Sequence, residues 1–244
     1  MFLVIALGVI QGATEFLPIS SSGHLFLVNS ILGGANKIAF FVWLHLATLF
    51  AVLVFFYRDV LVVLKKKSIV LSIALATLIT FLMAMGIDKF FGVYFGERHL
   101  IFFGFMVTAF FLLSSRYSIE GKRSFDDFTL KEAFFFGIVQ GVAIFPGVSR
   151  SGTTITLLMR RGFSPEVSFR VSFLASIPVI LGAFMYESRG IIGSSFGGMY
   201  LAGFLSAFLS GLVALKVMQK IVKKEYLYYF AYYCMFVGIV SLAI

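Results

Sequence analysis

Glu15, Ser20, Ser21, Ser22 and His24 fall within ten positions of one another around Pro18, and Ser149, Arg150, Ser151, Thr153 and Thr154 follow closely on Pro146. These residue types can do phosphate chemistry. A serine hydroxyl beside a histidine is a candidate nucleophile or phosphate donor. A carboxylate can act as base, orient the histidine or hold a cation. An arginine carries a permanent charge on a planar fork that matches phosphate oxygens. Ser149, Ser151 and Thr153 are good N-cap residues, and a helix starting just after them would point backbone N–H groups and its positive end at an anion. Arg150 has a second reading, as the ion-pair partner of Glu15, and the two roles can alternate as ligand competes for the guanidinium. Together the groups suit a phosphorylated ligand, best an amphiphile with a phosphate head and an apolar tail. Ser21 and Ser22 are each candidates for the nucleophile, and His24 is the competing one.

The two polar stretches are copies of one another. Residues 8–23 read GVIQGATEFLPISSSG and residues 137–152 read GIVQGVAIFPGVSRSG, with seven of sixteen positions identical and no gap. They differ where chemistry needs asymmetry: Glu15 and His24 face Ile144 and Thr153, and Arg150 stands opposite Ser21. Gln11 and Gln140 precede the two breaks and either brace each hairpin or reach the ligand. Ser20 could equally cap carbonyls freed at the break. Burying Glu15 in a membrane segment costs about 2.5–3.5 kcal/mol on insertion scales, which argues for a partner or a polar cavity.

The elements that must position these residues are membrane helices. Of 244 residues, 60% are hydrophobic and 13% charged, against roughly 25% charged in soluble domains, and the mean hydropathy is +1.02. Six apolar runs, 38–57, 69–87, 100–115, 168–186, 198–215 and 226–244, have the length of full spans. The motif segments, 2–32 and 130–162, are each an apolar run, a polar break and a second apolar run. They are expected as re-entrant hairpins whose irregular backbone is buried in protein or lines a wet cavity. The chain is thus expected to be one all-α membrane domain, 1–244. Repeat one is 1–115, a cytoplasmic linker covers 116–129, and repeat two is 130–244, each repeat one hairpin plus three spans. Three being odd, the second repeat is inverted relative to the first.

Charge supports that topology. Fifteen lysines and arginines lie in four segments: Arg58–Lys67, Arg116–Lys131, Arg160–Arg170 and Lys216–Lys224. Only Lys37, Lys89, Arg98 and Arg189 occupy the alternate loops. The positive-inside bias then places both termini outside a plasma (inner) membrane and lets the hairpin tips meet near the midplane. The net charge of +9 reads as loop charge and not as nucleic-acid binding. The N-terminal residues show no basic region or cleavage pattern of a removable signal peptide. Cys234 is the single cysteine, so no intrachain disulfide forms. His45 could stand behind the site and Thr48 reads as packing. Asp88, Glu97 and His99 read as solvated, and Asp126 and Asp127 lack metal-ligand spacing.

The stretches Gln11-Gly12-Ala13-Thr14-Glu15-Phe16-Leu17-Pro18-Ile19-Ser20-Ser21-Ser22-Gly23-His24 and Pro146-Gly147-Val148-Ser149-Arg150-Ser151-Gly152-Thr153-Thr154 resemble the two motifs of the undecaprenyl-pyrophosphate phosphatase family, the bacitracin-resistance membrane phosphatases. Both occur in the family's order, and the apolar layout extends the likeness over nearly the whole chain. The resemblance implies hydrolysis of undecaprenyl diphosphate to undecaprenyl phosphate and inorganic phosphate, recycling a lipid carrier for cell-wall synthesis. It also implies help from a divalent cation, magnesium or calcium, held by Glu15. By motif position Glu15, His24, Ser21 and Arg150 would be central, and Ser22, Ser149, Ser151 and Thr154 would line the phosphate pocket, in a site open to the outer face. Position 11 is glutamate or glutamine in the family; glutamine here removes one acidic group. The expected partners are the polyprenyl diphosphate and membrane lipids, with no nucleic acid, and a homodimer is left open. A transporter or flippase of a polyprenyl phosphate lipid is the rival class, because inverted repeats with broken helices also build transporters.

Overall fold

The computed structural model describes residues 1–31, 38–118, 121–187 and 198–244. Among them eleven α-helices run in chain order: α1 (Phe2–Phe16), α2 (Ser21–Ile31), α3 (Ile38–Phe55), α4 (Tyr57–Leu64), α5 (Lys67–Phe91), α6 (Arg98–Ser114), α7 (Leu130–Val142), α8 (Arg150–Arg160), α9 (Pro165–Glu187), α10 (Gly198–Lys223) and α11 (Tyr229–Ser241). The protein is all-α; the one β-type pairing among the described residues is an isolated bridge between Arg123 and Phe163. Lys37 and Arg189, two of the four basic residues in the alternate loops, lie outside the described residues.

Among the described residues four helices are long and apolar enough to cross a membrane alone: Lys67–Tyr94, Arg98–Tyr117, Pro165–Tyr186 and Gly198–Lys223. The expectation of six full spans is corrected at two places. The run 38–57 divides at Phe56, where α3 and α4 meet at a 76° bend, so it counts as a fifth span only with its bent continuation. Arg58 and Asp59 arrive directly after the apolar run, and charges of that kind belong at a membrane surface. The run 226–244 yields only the short apolar helix α11. Its thirteen residues reach about 20 Å at 1.5 Å per residue, less than a hydrocarbon core of about 30 Å. The 3-10 turn Tyr226–Tyr228 takes up the start of the run, just after Glu225 in the left-handed region at φ 57°. The outward faces of the long helices show Leu82, Phe103, Phe110 and Val213, the surface that lipid covers.

The motif segments form helix hairpins as expected, α1–α2 and α7–α8, each broken between its two halves. Their first helices are embedded by small residues. A Cβ on Gly8 or Gly12 would lie 2.0 Å from Ser206 Oγ or 2.1 Å from Ser210 Oγ on α10. A Cβ on Gly137 or Gly141 would lie 2.7 Å from the Ala76 carbonyl oxygen or 2.5 Å from Met83 Cβ on α5. Small residues let membrane helices approach this closely where apolar driving force is absent. Two of the identities in the repeated motif, Gly8/Gly137 and Gly12/Gly141, therefore serve packing.

All four basic segments are drawn to one end of the bundle. Lys66 pairs with Asp126 at 2.5 Å, and Arg170 with Asp59 at 3.4 Å. Lys223 pairs with Glu166 at 3.6 Å. Arg160 donates to the Tyr117 carbonyl at 3.1 Å. Arg123 and Arg161 converge on Glu132, which is 4% exposed. A carboxylate so buried requires such partners, and this pair of arginines fastens the linker to the base of the second hairpin.

Candidate active site

The first hairpin breaks because Pro18 cannot continue α1. The chain turns through Ile19, whose N–H donates to the Leu17 carbonyl at 2.8 Å, and Ser20 takes the left-handed conformation at φ 66°. That residue is not glycine, so the conformation costs energy and must be held. Ser20 Oγ accepts from the Gly23 N–H at 3.3 Å, and its carbonyl accepts from His24 Nδ1 at 2.7 Å. The second hairpin breaks over Ala143–Val148. Gly147 sits at φ 90°, where a Cβ would lie 2.4 Å from the Ile101 carbonyl oxygen, a place only glycine can occupy. Thr108 on α6 secures this tip: its hydroxyl donates to the Gly147 carbonyl at 2.8 Å and accepts from the Ser149 N–H at 2.8 Å. Ser149 caps α8, accepting from the Gly152 N–H at 3.2 Å.

The tips touch. Ser151 Oγ donates to the Leu17 carbonyl at 3.3 Å, and a Cβ on Gly23 would lie 3.2 Å from Gly147 Cα. Their meeting puts the acidic residue of one repeat against the basic residue of the other. Arg150 Nη2 donates to Glu15 Oε1 at 3.0 Å. Glu15 Oε2 accepts from Ser21 Oγ at 2.7 Å and from Gln11 Nε2 at 3.3 Å. Side-chain exposure is 9% for Glu15 and 14% for Arg150. The guanidinium also stands 5.5 Å from the centre of the Phe173 ring. Its Nη1 is buried and has no hydrogen-bond partner among the described residues.

These groups open on a cavity of ≈ 1180 Å³. Glu15, Ser20, Ser21, Ser22, Ser149 and Arg150 line it, so the first turns of α2 and α8 both face it. Two helix N-termini and a guanidinium at one wall favour an anion there. The remaining wall is largely apolar and comes from α5 and α9. Pro178 within α9 leaves the Leu174 carbonyl without the N–H that ordinarily meets it, and both residues line the cavity.

The other residues singled out in the sequence divide into two groups. Gln140 lines the cavity, with Nε2 donating to Thr80 at 3.0 Å and Oε1 buried without a partner among the described residues. Gln11 braces Glu15 from behind. Ser151, Thr153 and Thr154 are outside the cavity lining and hold backbone: Thr153 donates to the Ser149 carbonyl at 2.9 Å and Thr154 to the Arg150 carbonyl at 2.7 Å. His24 also faces elsewhere. Its Nε2 lies 2.7 Å from the Tyr233 hydroxyl, the two rings are stacked, and Phe105 meets the imidazole edge-on. Sequence reasoning misses Tyr233, Phe173 and Thr108. Only Thr108 leaves a signal: with Gly104 it forms a small-xxx-small pair inside a Phe-rich run, and a Cβ on Gly104 would lie 2.0 Å from the Pro146 carbonyl oxygen.

Fold and site together define a polytopic membrane protein with a buried Glu15–Arg150 pair facing a cavity inside its helix bundle. The match to the family described as "Bacitracin resistance protein BacA" runs over residues 4–240, nearly the whole chain, and the protein belongs to that family. Among curated relatives, a protein of Thermosipho africanus named undecaprenyl-diphosphatase is 38% identical, over 97% of each chain. One of the same name from Alkaliphilus metalliredigens is 35% identical over 97% of this chain and 96% of its own. A third, from Halothermothrix orenii, is 36% identical over 98% and 96%.

Proposed function

We infer that this protein is an undecaprenyl-diphosphatase, hydrolysing undecaprenyl diphosphate to undecaprenyl phosphate and inorganic phosphate and so returning the lipid carrier to cell-wall synthesis. The observation that carries the reading is the guanidinium of Arg150. One of its nitrogens holds Glu15, while the other is buried without a hydrogen-bond partner among the described residues. Arg150 lines the cavity, and a shift of the guanidinium toward it would give that nitrogen a phosphate oxygen while the ion pair is kept. The apolar walls supplied by Ile73, Leu78 and Phe81 of α5 and Ile177 and Ile180 of α9 suit the polyprenyl tail.

Cleaving a diphosphate requires charge neutralised on both phosphates and a nucleophile in line with the leaving oxygen. Ser21 is the nucleophile in this reading, because its hydroxyl already donates to a carboxylate able to take the proton. Arg150 and the N-termini of α2 and α8 hold the distal phosphate and the charge that grows on it. His24 and Tyr233 hold the strained Ser20 turn that aims Ser21.

A divalent cation fits the donor set. Magnesium binds through one or two carboxylates plus substrate phosphates, and the cavity offers the Glu15 carboxylate. No cluster of three or more His, Cys, Asp or Glu exists among the described residues, so such an ion would be held jointly with the substrate. When bound it would neutralise phosphate oxygens.

The experiment is phosphate release from a long-chain polyprenyl diphosphate by purified protein in detergent, with and without added magnesium or calcium. Detergent offers no second side, so turnover there is hydrolysis and not transport. Release is expected from wild type and not from Glu15→Gln. Folded wild-type protein that binds the lipid but releases nothing would overturn the reading.

The inverted arrangement of repeats 1–115 and 130–244 is part of the proposal. It is supported by the exchange of partners: α1 packs on α10 and α7 on α5, which a two-fold axis in the membrane plane interconverts. The basic end is placed in the cytoplasm, with termini outside and the cavity open outward past Asp88, Phe95 and Tyr186. In a Cys234→Ser background, cysteines at Lys65 and Lys220 are expected to label only from the cytoplasm, and one at Lys89 only from outside. Labelling of Lys65 and Lys220 from opposite faces would discard this topology.

A further inference from the structure

The two sides of α4 differ. The apolar run before it ends at Phe56, whose ring is held in the core 5.4 Å from Phe169 and 6.0 Å from Phe173. From that anchor α4 leaves at 76° to α3, so if α3 runs along the membrane normal, α4 runs close to the membrane plane. One side looks inward: Val60 and Val63 line the cavity, and Asp59 pairs with Arg170 of α9. The other side carries Tyr57, Leu61 and Leu64, whose i, i+4, i+7 spacing makes a single stripe. They are 53%, 57% and 67% exposed, and Val62 is exposed beside them. On a spanning helix such residues face hydrocarbon. Here they stand at the charged end of the bundle, where they meet either water or the boundary between headgroups and acyl chains. A contiguous stripe of this size is stable in the second and not in the first.

Charge lies at the end of the same stripe. Lys65, Lys66 and Lys67 follow Leu64 directly. Lys66 is taken by Asp126 at 2.5 Å, and Arg58 lies along its neighbour, with Nε donating to the Tyr57 hydroxyl at 2.6 Å. Lys65 and Lys67 are exposed, and their ammonium groups have no ion-pair or hydrogen-bond partner among the described residues. The nearby acids are engaged elsewhere: Asp59 with Arg170, and Glu166 with Arg170 and Lys223. We propose that α4 and Lys65–Lys67 form a docking surface for anionic phospholipid of the surrounding bilayer. The stripe sinks into the acyl boundary, and the free ammonium groups meet the headgroup phosphate.

The occupant follows from the two features together. A zwitterionic lipid would cover the stripe and leave both lysines without a net counter-charge. An acidic protein segment would meet the lysines and leave the stripe uncovered. An anionic phospholipid satisfies both at once, with an apolar contribution common to every phospholipid and a Coulombic one that only the anionic headgroup supplies. The surface is separate from the Glu15–Arg150 pair, yet Val60 and Val63 of the same short helix face the cavity. Lipid held on the outer stripe therefore also steadies the cavity wall at its basic end. The proposal is independent of what reaction the cavity supports.

The test places the full chain in phospholipid bilayers as Cys234→Ser with Leu61→Cys carrying a bimane fluorophore, and reads quenching by lipids brominated in the upper acyl chain. Brominated phosphatidylcholine is expected to quench, which sets the stripe against acyl chains. Brominated phosphatidylglycerol at the same mole fraction is expected to quench more, with a preference of about fivefold for each unpaired lysine. Lys65→Gln and Lys67→Gln should each remove about that factor, and the double variant should remove the preference. Salt at about 1 M, where the Debye length is about 3 Å, should reduce it as well. A bimane at Leu82, on the outward face of α5, is the control: both brominated lipids are expected to quench it equally. Equal quenching of the Leu61 probe by the two lipids overturns the proposal, as does a preference that survives in the double variant. A Leu61 probe that neither lipid quenches, while the Leu82 probe is quenched, also overturns it and would assign the stripe to a protein partner or a second copy of this chain.

Discussion

Replacing Arg150 by lysine is expected to lower kcat for phosphate release by at least 10²-fold while the protein stays folded, and replacing it by alanine is expected to abolish turnover. Lysine keeps the positive charge opposite Glu15, whose neighbour would otherwise be lost at 3.0 Å. It cannot keep the fork. In the native site Nη2 is committed to Glu15 and Nη1 has no partner among the described residues; a single ammonium cannot hold both the carboxylate and a phosphate oxygen in those directions. Loss of one preorganised donor to developing charge costs about 10²–10³-fold in comparable sites. Alanine removes the charge altogether and leaves a carboxylate of 9% exposure without its cation, which costs about 3–5 kcal/mol. The alanine variant must therefore be measured together with its thermal stability in detergent, and the lysine variant separates lost chemistry from lost folding. A well-folded Arg150→Lys protein working at the native rate would remove Arg150 from the phosphate site.

The pairing of Glu15 with Arg150 is legible in the sequence because the repeat marks both tips and the two residues are where the copies differ. A buried carboxylate and a buried guanidinium on tips that must meet have strong reason to find each other. The basic end is legible for a similar reason: charge cannot enter the hydrocarbon, so the spacing of lysines and arginines records which loops share a face. The breaks at Phe56 and Glu225 are not legible. Hydropathy sums a run without seeing where the backbone turns, and 38–57 and 226–244 each read as one continuous apolar stretch. The partner of His24 is hidden differently. Tyr233 lies 209 positions away on a helix whose local sequence shows only an aromatic run, and the tertiary packing of α11 beside α6 brings it in. The spacing of Glu15 and His24 around Pro18 reveals their shared polar loop but carries no information on the direction of the imidazole ring. His45 leaves only a faint signal, because a lone histidine inside a span has no neighbour in sequence to explain it; its partners are its own backbone four residues back and a carboxylate on another helix.

Ser21→Ala is expected to remove turnover, by about 10³-fold or more, and His24→Asn to leave a measurable fraction of it. The difference follows from direction. Ser21 lines the cavity and donates to Glu15 Oε2 at 2.7 Å, a nucleophile already joined to its base. His24 has both ring nitrogens engaged, one by the Ser20 carbonyl and one by Tyr233, and its ring is held between Tyr233 and Phe105 outside the cavity lining. Attack through either nitrogen requires breaking a 2.7 Å hydrogen bond and turning the ring out of its stack. Asparagine can keep the bond to the Ser20 carbonyl through its amide N–H, so the strained Ser20 turn and the aim of Ser21 survive in part. The chemical readout is independent of these rates. Rapid quenching with substrate labelled on the distal phosphate is expected to leave acid-stable label on the protein, as phosphoserine does, and the label should vanish in Ser21→Ala. Acid-labile, base-stable label that persists in Ser21→Ala and is lost in His24→Asn would instead make the histidine the nucleophile, and would require the α2 helix to turn in the complex so that His24 enters the cavity where Ser21 now stands.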